Sequence, residues 1–392
     1  MASLSGLFSL GFLTINCQFA LVTAIAALFF AFSGYLQQLG IAPATAGFIL
    51  SADALAALIV QLLISPLIHS GTVSRWLLGG SLLLSAALFM LAHVTSVALL
   101  TAARLLQGAG FMCVLASLIT MVVRYIPPEM SGRAFGWLSL VRLIPYAAIP
   151  LVFDQLALAP ASFAALLNIA AVVALVPVLA LLLPSSWQTE GVEASQAPGW
   201  SGMRASLGCR SVLLLLLSAL LFFCGYSAIF FFLQQFGQTL GVANASLFFT
   251  LATLVMILVR LGGGWLFDRY DKTLVGAAGL LLIALCYGLL PLCASSRMFF
   301  VLAGFAGLGW GIAMPLQAAA MFDISSPSTR AMNQNLLIVM MQGGFFIGPF
   351  VGGALISRFG YAALFACLAG TTLLAGVLML GVKTPDSGGS AV

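Results

Sequence analysis

The chain has 392 residues, 62% of them hydrophobic and only 6% charged, with a mean hydropathy of +1.19. Soluble domains carry about a quarter charged residues, so this composition cannot cover a water-facing surface and excludes a soluble globular protein. The net charge of +5, from 14 Lys and Arg against 9 Asp and Glu, is read through its placement in loops and carries no nucleic-acid signal.

Spanning about 30 Å of hydrocarbon takes roughly 20 apolar residues. Runs of that kind predict twelve membrane helices near 9–33, 43–68, 76–95, 98–123, 133–157, 161–184, 211–236, 242–266, 273–294, 298–321, 331–356 and 361–382. The expected class is an all-α integral membrane protein. The first run lacks the basic flank and small-residue cleavage site of a signal peptide, and is expected to be a retained helix. One connection is long and polar, 185–210, with Ser185, Ser186, Glu190, Glu193, Pro198, Arg204 and Arg210. It divides the chain into helical bundles at 1–184 and 211–392, with a cytoplasmic linker between them. The seven cysteines lie in or beside apolar runs without metal-ligand spacing, so no metal site, cofactor or disulfide framework is expected.

Loop charge gives an orientation. One set of loops holds Arg75, Arg124, Arg133, Arg204, Arg210, Arg269, Lys272, Arg330 and Lys383; the other holds only Arg297 and Arg358. The positive-inside rule then places the arginine-rich end, and both termini, in the cytoplasm. The arginine-heavy, short-loop composition fits a multi-pass protein of a bacterial inner membrane.

The halves repeat. Leu36-Gln37-Gln38-Leu39-Gly40, after the first run, returns as Leu233-Gln234-Gln235-Phe236-Gly237 after the seventh, and Arg133-Ala134 returns as Arg330-Ala331, both displaced by 197. Pro150 and Pro349, like Gln61 and Arg260, are displaced by 199. Several matches in one order mark an internal duplication.

Three segments carry a family resemblance. Gly264-Trp265-Leu266-Phe267-Asp268-Arg269-Tyr270-Asp271-Lys272 is similar to the G-x-L-a-D-r-x-G-r-k loop of the major facilitator superfamily, with Asp271 in place of a glycine. Arg104-Leu105-Leu106-Gln107-Gly108-Ala109-Gly110 is similar to its R-x-x-q-G-x-g helix. The run from Gly344 through Gly348, Pro349 and Gly352 to Gly353 resembles the G-x-x-x-G-P-x-x-G-G motif of drug and proton antiporters. In antiporters that motif usually sits in the fifth helix. Here the fifth helix has Arg142, Pro145 and Pro150 instead, a departure from the ordinary multidrug exporters.

The resemblance implies two six-helix bundles related by a pseudo-two-fold axis and a secondary transporter working by alternating access, not an enzyme. It implies gating roles for Asp268 and Arg269 and for the glycines and proline of the eleventh helix, and proton coupling at Arg104. His69 stands where the first half would repeat Asp268, so a latch there is absent, weakened or pH-dependent. No Walker-type phosphate loop is present.

Charges inside spans are costly and point to function. Asp53 is the one strong acid near mid-span, against Arg104 and Arg142, with Arg260 nearer the arginine-rich end. Asp53 can carry a proton or simply pair with an arginine; Arg104 can serve coupling or be held by backbone carbonyls and Gln107; Arg260 can face the pathway or act as a gate partner. Three arginines against one carboxylate favour a small anionic or zwitterionic substrate, for example a carboxylate-type chelator or siderophore. The residues expected to line its site are Arg142, Gln107, Gln37, Gln234, Tyr226, Gln317 and Gln342. The function expected from these features is proton-coupled export by a monomer, with anion import, multidrug efflux and a non-transporting membrane receptor or scaffold as alternatives.

Overall fold

A computed structural model describes residues 9–63, 67–68, 71–122, 125, 131–156, 160–182, 207–262, 270–326 and 329–383. Among them every regular element is helical: α1 Leu10–Gln38, α2 Pro43–Leu63, α3 Val73–His93, α4 Val97–Val122, α5 Ser131–Leu156 and α6 Pro160–Val173, extended by a 3-10 stretch Val176–Leu182. The second half follows with α7 Arg210–Thr239, α8 Leu247–Gly262, α9 Lys272–Leu289 and α10 Ser296–Ile324. The continuous helical stretch Arg330–Leu380 is broken at Gly360 (φ 78°, ψ −178°), giving α11 at 330–359 and α12 at 361–380. A left-handed φ there costs glycine nothing. Most of the expected linker, its residues 185–206, lies outside the described residues.

Three expected boundaries move by several residues. Helices α1 and α7 run on to Gln38 and Thr239, so Gln37 and Gln38 lie in the final turn of α1 and not beyond it, and Gln234 and Gln235 lie well inside α7. Helix α8 starts at Leu247, five residues later than its apolar run, because Gly241 (φ 68°) and Asn244 (φ 57°) turn the chain through left-handed geometry. Large apolar side chains such as Leu258 (67% exposed) and Val172 (68%) face outward, as hydrocarbon solvent permits.

The duplication is visible in the packing. A Cβ at Gly110 would lie 2.6 Å from the Leu84 nitrogen and 2.9 Å from the Gly80 oxygen; a Cβ at Gly309 would lie 2.5 Å from Ile283 and 2.9 Å from the Gly279 oxygen. Gly80, Leu84 and Gly110 of the α3–α4 seam are thus matched 199 positions later by Gly279, Ile283 and Gly309 of the α9–α10 seam (279 − 80 = 199). Between α2 and α4, Gly108 meets the Asp53 backbone; between α8 and α10, Gly307 meets Ala252. Small residues let helix backbones touch in both halves.

The halves meet chiefly toward the arginine-poor end. The Ser33 hydroxyl donates to the Phe231 carbonyl, and Phe30 packs edge-on against Phe230 and Phe249. The Thr250 hydroxyl donates to the Ala147 carbonyl at 2.8 Å, joining α8 to α5. Helices α2 and α11 touch along their length: Gly47 and Gly353 pack near this end, and the Gln61 amide donates to Asn335 Oδ1 at 2.9 Å near the other.

Candidate functional site

The Asp53–Arg104 pair is built by backbone proximity. Because Gly108 has no side chain, α4 lies directly on α2: a Cβ there would be 2.0 Å from the Asp53 carbonyl oxygen. Arg104, four residues earlier on α4, is fully buried. Its Nη2 donates to Asp53 Oδ1 at 2.5 Å and to the Leu50 carbonyl at 3.0 Å, and its Nη1 donates to Gln107. The guanidinium carbon lies 4.3 Å from the Phe29 ring centroid and 5.4 Å from that of Phe32. A buried guanidinium needs this set of acceptors and ring faces to offset its desolvation. The Asp53 side chain keeps 28% exposure, so the carboxylate is partly open while its partner is enclosed. Of the two arginines that could take Asp53, the fold selects Arg104. At the equivalent positions 199 residues on stand Ala252 and Ala303, both fully buried. The charge pair therefore belongs to the first half alone.

A second group lies between the halves. Arg142 of α5 is half-buried and has Tyr146 one turn further on, within electrostatic range. Arg260 of α8 places Nη2 3.7 Å from Met314 Sδ and lies close enough to Arg142 to repel it. Tyr226 of α7 lies in the field of both Arg260 and Tyr146, and Tyr146 in that of both Arg142 and Asp53. Among the described residues, Arg142 forms no ion pair. Tyr226 is held edge-on by Trp310 (4.9 Å between centroids), whose Nε1 donates to the Tyr287 hydroxyl at 3.2 Å. This arrangement offers positive charge, phenolic hydroxyls and a rigid aromatic wall, with Asp53 within electrostatic reach of Tyr146.

The other sequence-expected residues are dispersed. Gln107 is engaged by Arg104, and Gln317 is buried with its amide on the Ser218 hydroxyl at 3.2 Å. Gln234 donates to Ser246 at 3.0 Å, Gln37 is exposed at the end of α1, and Gln342 is half-buried on α11. Asp268, Arg269 and His69 lie outside the described residues.

The α11 glycines form two seams. A Cβ at Gly344 would lie 2.5 Å from Phe223 Cβ, and one at Gly348 2.4 Å from the Cys224 carbonyl oxygen, so both serve the α7–α11 contact. Gly352 likewise faces the Phe232 ring of α7. Gly353 and Pro349 instead face α2: a Cβ at Gly353 would lie 2.3 Å from the Pro43 oxygen, and one at Gly47 2.3 Å from the Pro349 oxygen. Tyr146, Gly47 and the aromatic residues of α1 escaped the sequence reading. For Gly47 a signal existed, a small residue one turn beyond a helix-starting proline; Tyr146 had none beyond its place four residues after Arg142.

Comparison with known proteins agrees with this architecture. A sequence model described as Major Facilitator Superfamily matches residues 14–293 and 241–391. Among solved structures, the nucleoside transporter NupG in its D323A form superposes with a TM-score of 0.80 at 16% identity, covering 95% of this chain and 99% of that one. A second NupG structure gives 0.75 at 17% identity, with the same coverage. A POT family transporter in complex with a thioalcohol-conjugated peptide gives 0.75 at 13% identity, covering 94% of each chain. A search of curated proteins finds no match. At these identities the solved structures speak to the fold alone, while the family match spans nearly the whole chain. The protein belongs to the major facilitator superfamily and is a multi-pass membrane transporter, not an enzyme.

Proposed function

We propose that this protein is a secondary transporter for a small organic anion, moving it together with protons by alternating access. The observation that carries the reading is Arg142. It is a half-buried guanidinium with no ion pair among the described residues, close to Arg260, while the Asp53 carboxylate is engaged by Arg104. An interior with that excess of positive charge recognises carboxylate or phosphate through forked charge-assisted hydrogen bonds and repels organic cations. Tyr146 and Tyr226 supply hydroxyl donors within electrostatic range of Arg142 and Arg260 respectively.

Asp53 gives the coupling its sign. Its partly exposed carboxylate is the proton site, and Tyr146 bridges electrostatically between it and Arg142. Protonating Asp53 removes a negative charge from the interior and favours the anion; by linkage, the bound anion favours the proton. Ligands that assist each other's binding travel together. With the arginine-rich end in the cytoplasm and an inward proton gradient, the direction is uptake. This reading favours the import alternative over the export expected from the sequence. In this reading the contacts near the arginine-poor end between α1 and α7 and between α5 and α8 close the outer side of the pathway.

The test is thermal stabilisation of purified protein by citrate, benzoate, inosine and tetraphenylphosphonium, followed by uptake into proteoliposomes under acid-outside and alkaline-outside gradients. At least one anion is expected to raise the Tm of the wild type but not of Arg142→Gln, and its uptake to rise with acid outside. Stabilisation by the cation or the nucleoside alone would overturn the anion reading. Accumulation only with acid inside would overturn symport.

A further inference from the structure

Helix α1 is not uniformly α-helical. Its α-helical parts, Leu10–Leu28 and Phe32–Gln38, flank a 3-10 turn at Phe29–Ala31, closed by the Phe32 N–H donating to the Phe29 carbonyl. In a 3-10 helix residues three apart eclipse one another, whereas in an α-helix they diverge by about 60°. The turn therefore aligns two rows, and each has a distinct partner. Phe29 and Phe32 form one row, in edge contact at 5.1 Å, and both offer their faces to Arg104. Phe30 and Ser33 form the adjacent row, and both engage the second half: Phe30 against Phe230 (5.6 Å) and Phe249 (4.8 Å), Ser33 on the Phe231 carbonyl. In the orientation that satisfies both its ends, the Gln235 amide also accepts from the Gly34 N–H at 2.7 Å.

We propose that this 3-10 turn is the link between the Asp53–Arg104 pair and the closure of the two halves, with Phe29 and Phe32 as positioning residues. The proposal rests on Asp53 being the proton site. Arg104 divides its charge among the Asp53 carboxylate, the Leu50 and Gln107 oxygens and the two rings. Among the described residues, the charged and titratable groups facing Asp53 are Arg104 of α4 and Tyr146 of α5. Neutralising Asp53 leaves the guanidinium without its counter-ion and redistributes it among the remaining acceptors and ring faces. The Phe29–Phe32 row follows the cation. Because the two rows share one backbone turn, that movement rewinds the turn toward α geometry and swings Phe30 and Ser33 away from α7 and α8. The second half has no equivalent of the pair, with Ala252 and Ala303 in its place, so the signal originates in the first half.

Hydrogen–deuterium exchange on the full-length protein in nanodiscs tests this, read on peptides covering residues 28–38 of α1 and 228–239 of α7. In the wild-type background Asp53→Asn is expected to raise exchange at least threefold in the α7 segment and to change it in the α1 segment. In the Phe29→Leu background the same substitution should leave α7 unchanged, and Phe29→Tyr, which keeps a ring face, should restore the response. An equal α7 response in the Phe29→Leu background overturns the link, as does an absent α7 response in the wild type. Transport measured in parallel separates the two ideas. If Asp53→Asn keeps the wild-type pH profile but α7 exchange changes as described, the proton reading fails and the mechanical link stands.

Discussion

Substituting Gly353 by alanine places a methyl group where α11 crosses α2. The added Cβ would lie 2.3 Å from the Pro43 oxygen and 3.0 Å from Gly47 Cα, both backbone atoms that cannot rotate away. Ordinary contact begins near 3.4 Å, so the two helices must separate by about 1 Å. Overpacking of that kind costs about 1–3 kcal/mol. Since α2 and α11 belong to different halves, the strain is released in a state where the halves part at the arginine-poor end. The equilibrium should move toward that state by about 5- to 150-fold. Gly348→Ala provides the control: its Cβ would strike Cys224 and Ser227 of α7, within the same half, where no rocking of the halves relieves it. Distances between spin labels at Ala42 and Ser357, both exposed near that end, in a cysteine-depleted background report the change. A longer-distance population should grow for Gly353→Ala and Gly47→Ala, whereas Gly348→Ala should lower the Tm without redistributing the distances. Equal redistribution by all three variants, or none by Gly353→Ala, would refute the assignment of two separate seams.

Removing one member of the buried pair leaves the other unmatched, so Asp53→Ala should destabilise the protein by about 3–5 kcal/mol. The double change Asp53→Ala with Arg104→Ala recreates the Ala252 and Ala303 arrangement of the second half and should recover much of that loss; a double variant as unstable in thermal unfolding as the single one contradicts this account. At the arginine-rich surface, Asp271 caps α9, accepting from the Thr273 hydroxyl and from the Thr273 and Leu274 N–H groups. The Thr273 hydroxyl, followed by the Leu274 N–H, holds this carboxyl below the usual carboxylate range. A depressed folded-state pKa gives stabilisation that is complete above the unfolded value of about 3.9 and is lost as pH falls through the lower folded value. Asp271→Ala should cost about 1 kcal/mol, seen as faster amide exchange in the first turn of α9 near neutral pH, with the difference from wild type vanishing in strong acid.

Much of the architecture was legible in the sequence because bilayer thickness sets the length of each apolar run and the duplication repeats in order. Glycine spacing revealed that α11 is a close-packing helix, but a glycine does not name its partner, and the motif proved to serve α7 with one set of residues and α2 with another. Helix ends were less legible. Hydropathy includes the Val242–Ser246 turn in α8, and only backbone geometry at Gly241 and Asn244 excludes it. The polar residues show the same limit. Gln317 and Gln107 read as candidate lining until packing gave them to Ser218 and Arg104, while Tyr146 carried no warning of its position between Asp53 and Arg142.

By itself the sequence determined that this protein lives in a membrane, crosses it in two related sets of helices and carries too few acids for its buried arginines. Those properties follow from composition and one-dimensional period, which hydrocarbon solvent reads directly. Only the tertiary structure decided that Arg104 takes Asp53 while Arg142 remains without an ion pair among the described residues, and that residues of a 3-10 turn in α1 touch both Arg104 and the opposite half. Partner choice between buried charges depends on which backbones come within a few ångströms. Gly108 makes that approach between α2 and α4, and at the equivalent crossing of α8 and α10 Gly307 makes it with no charge to pair.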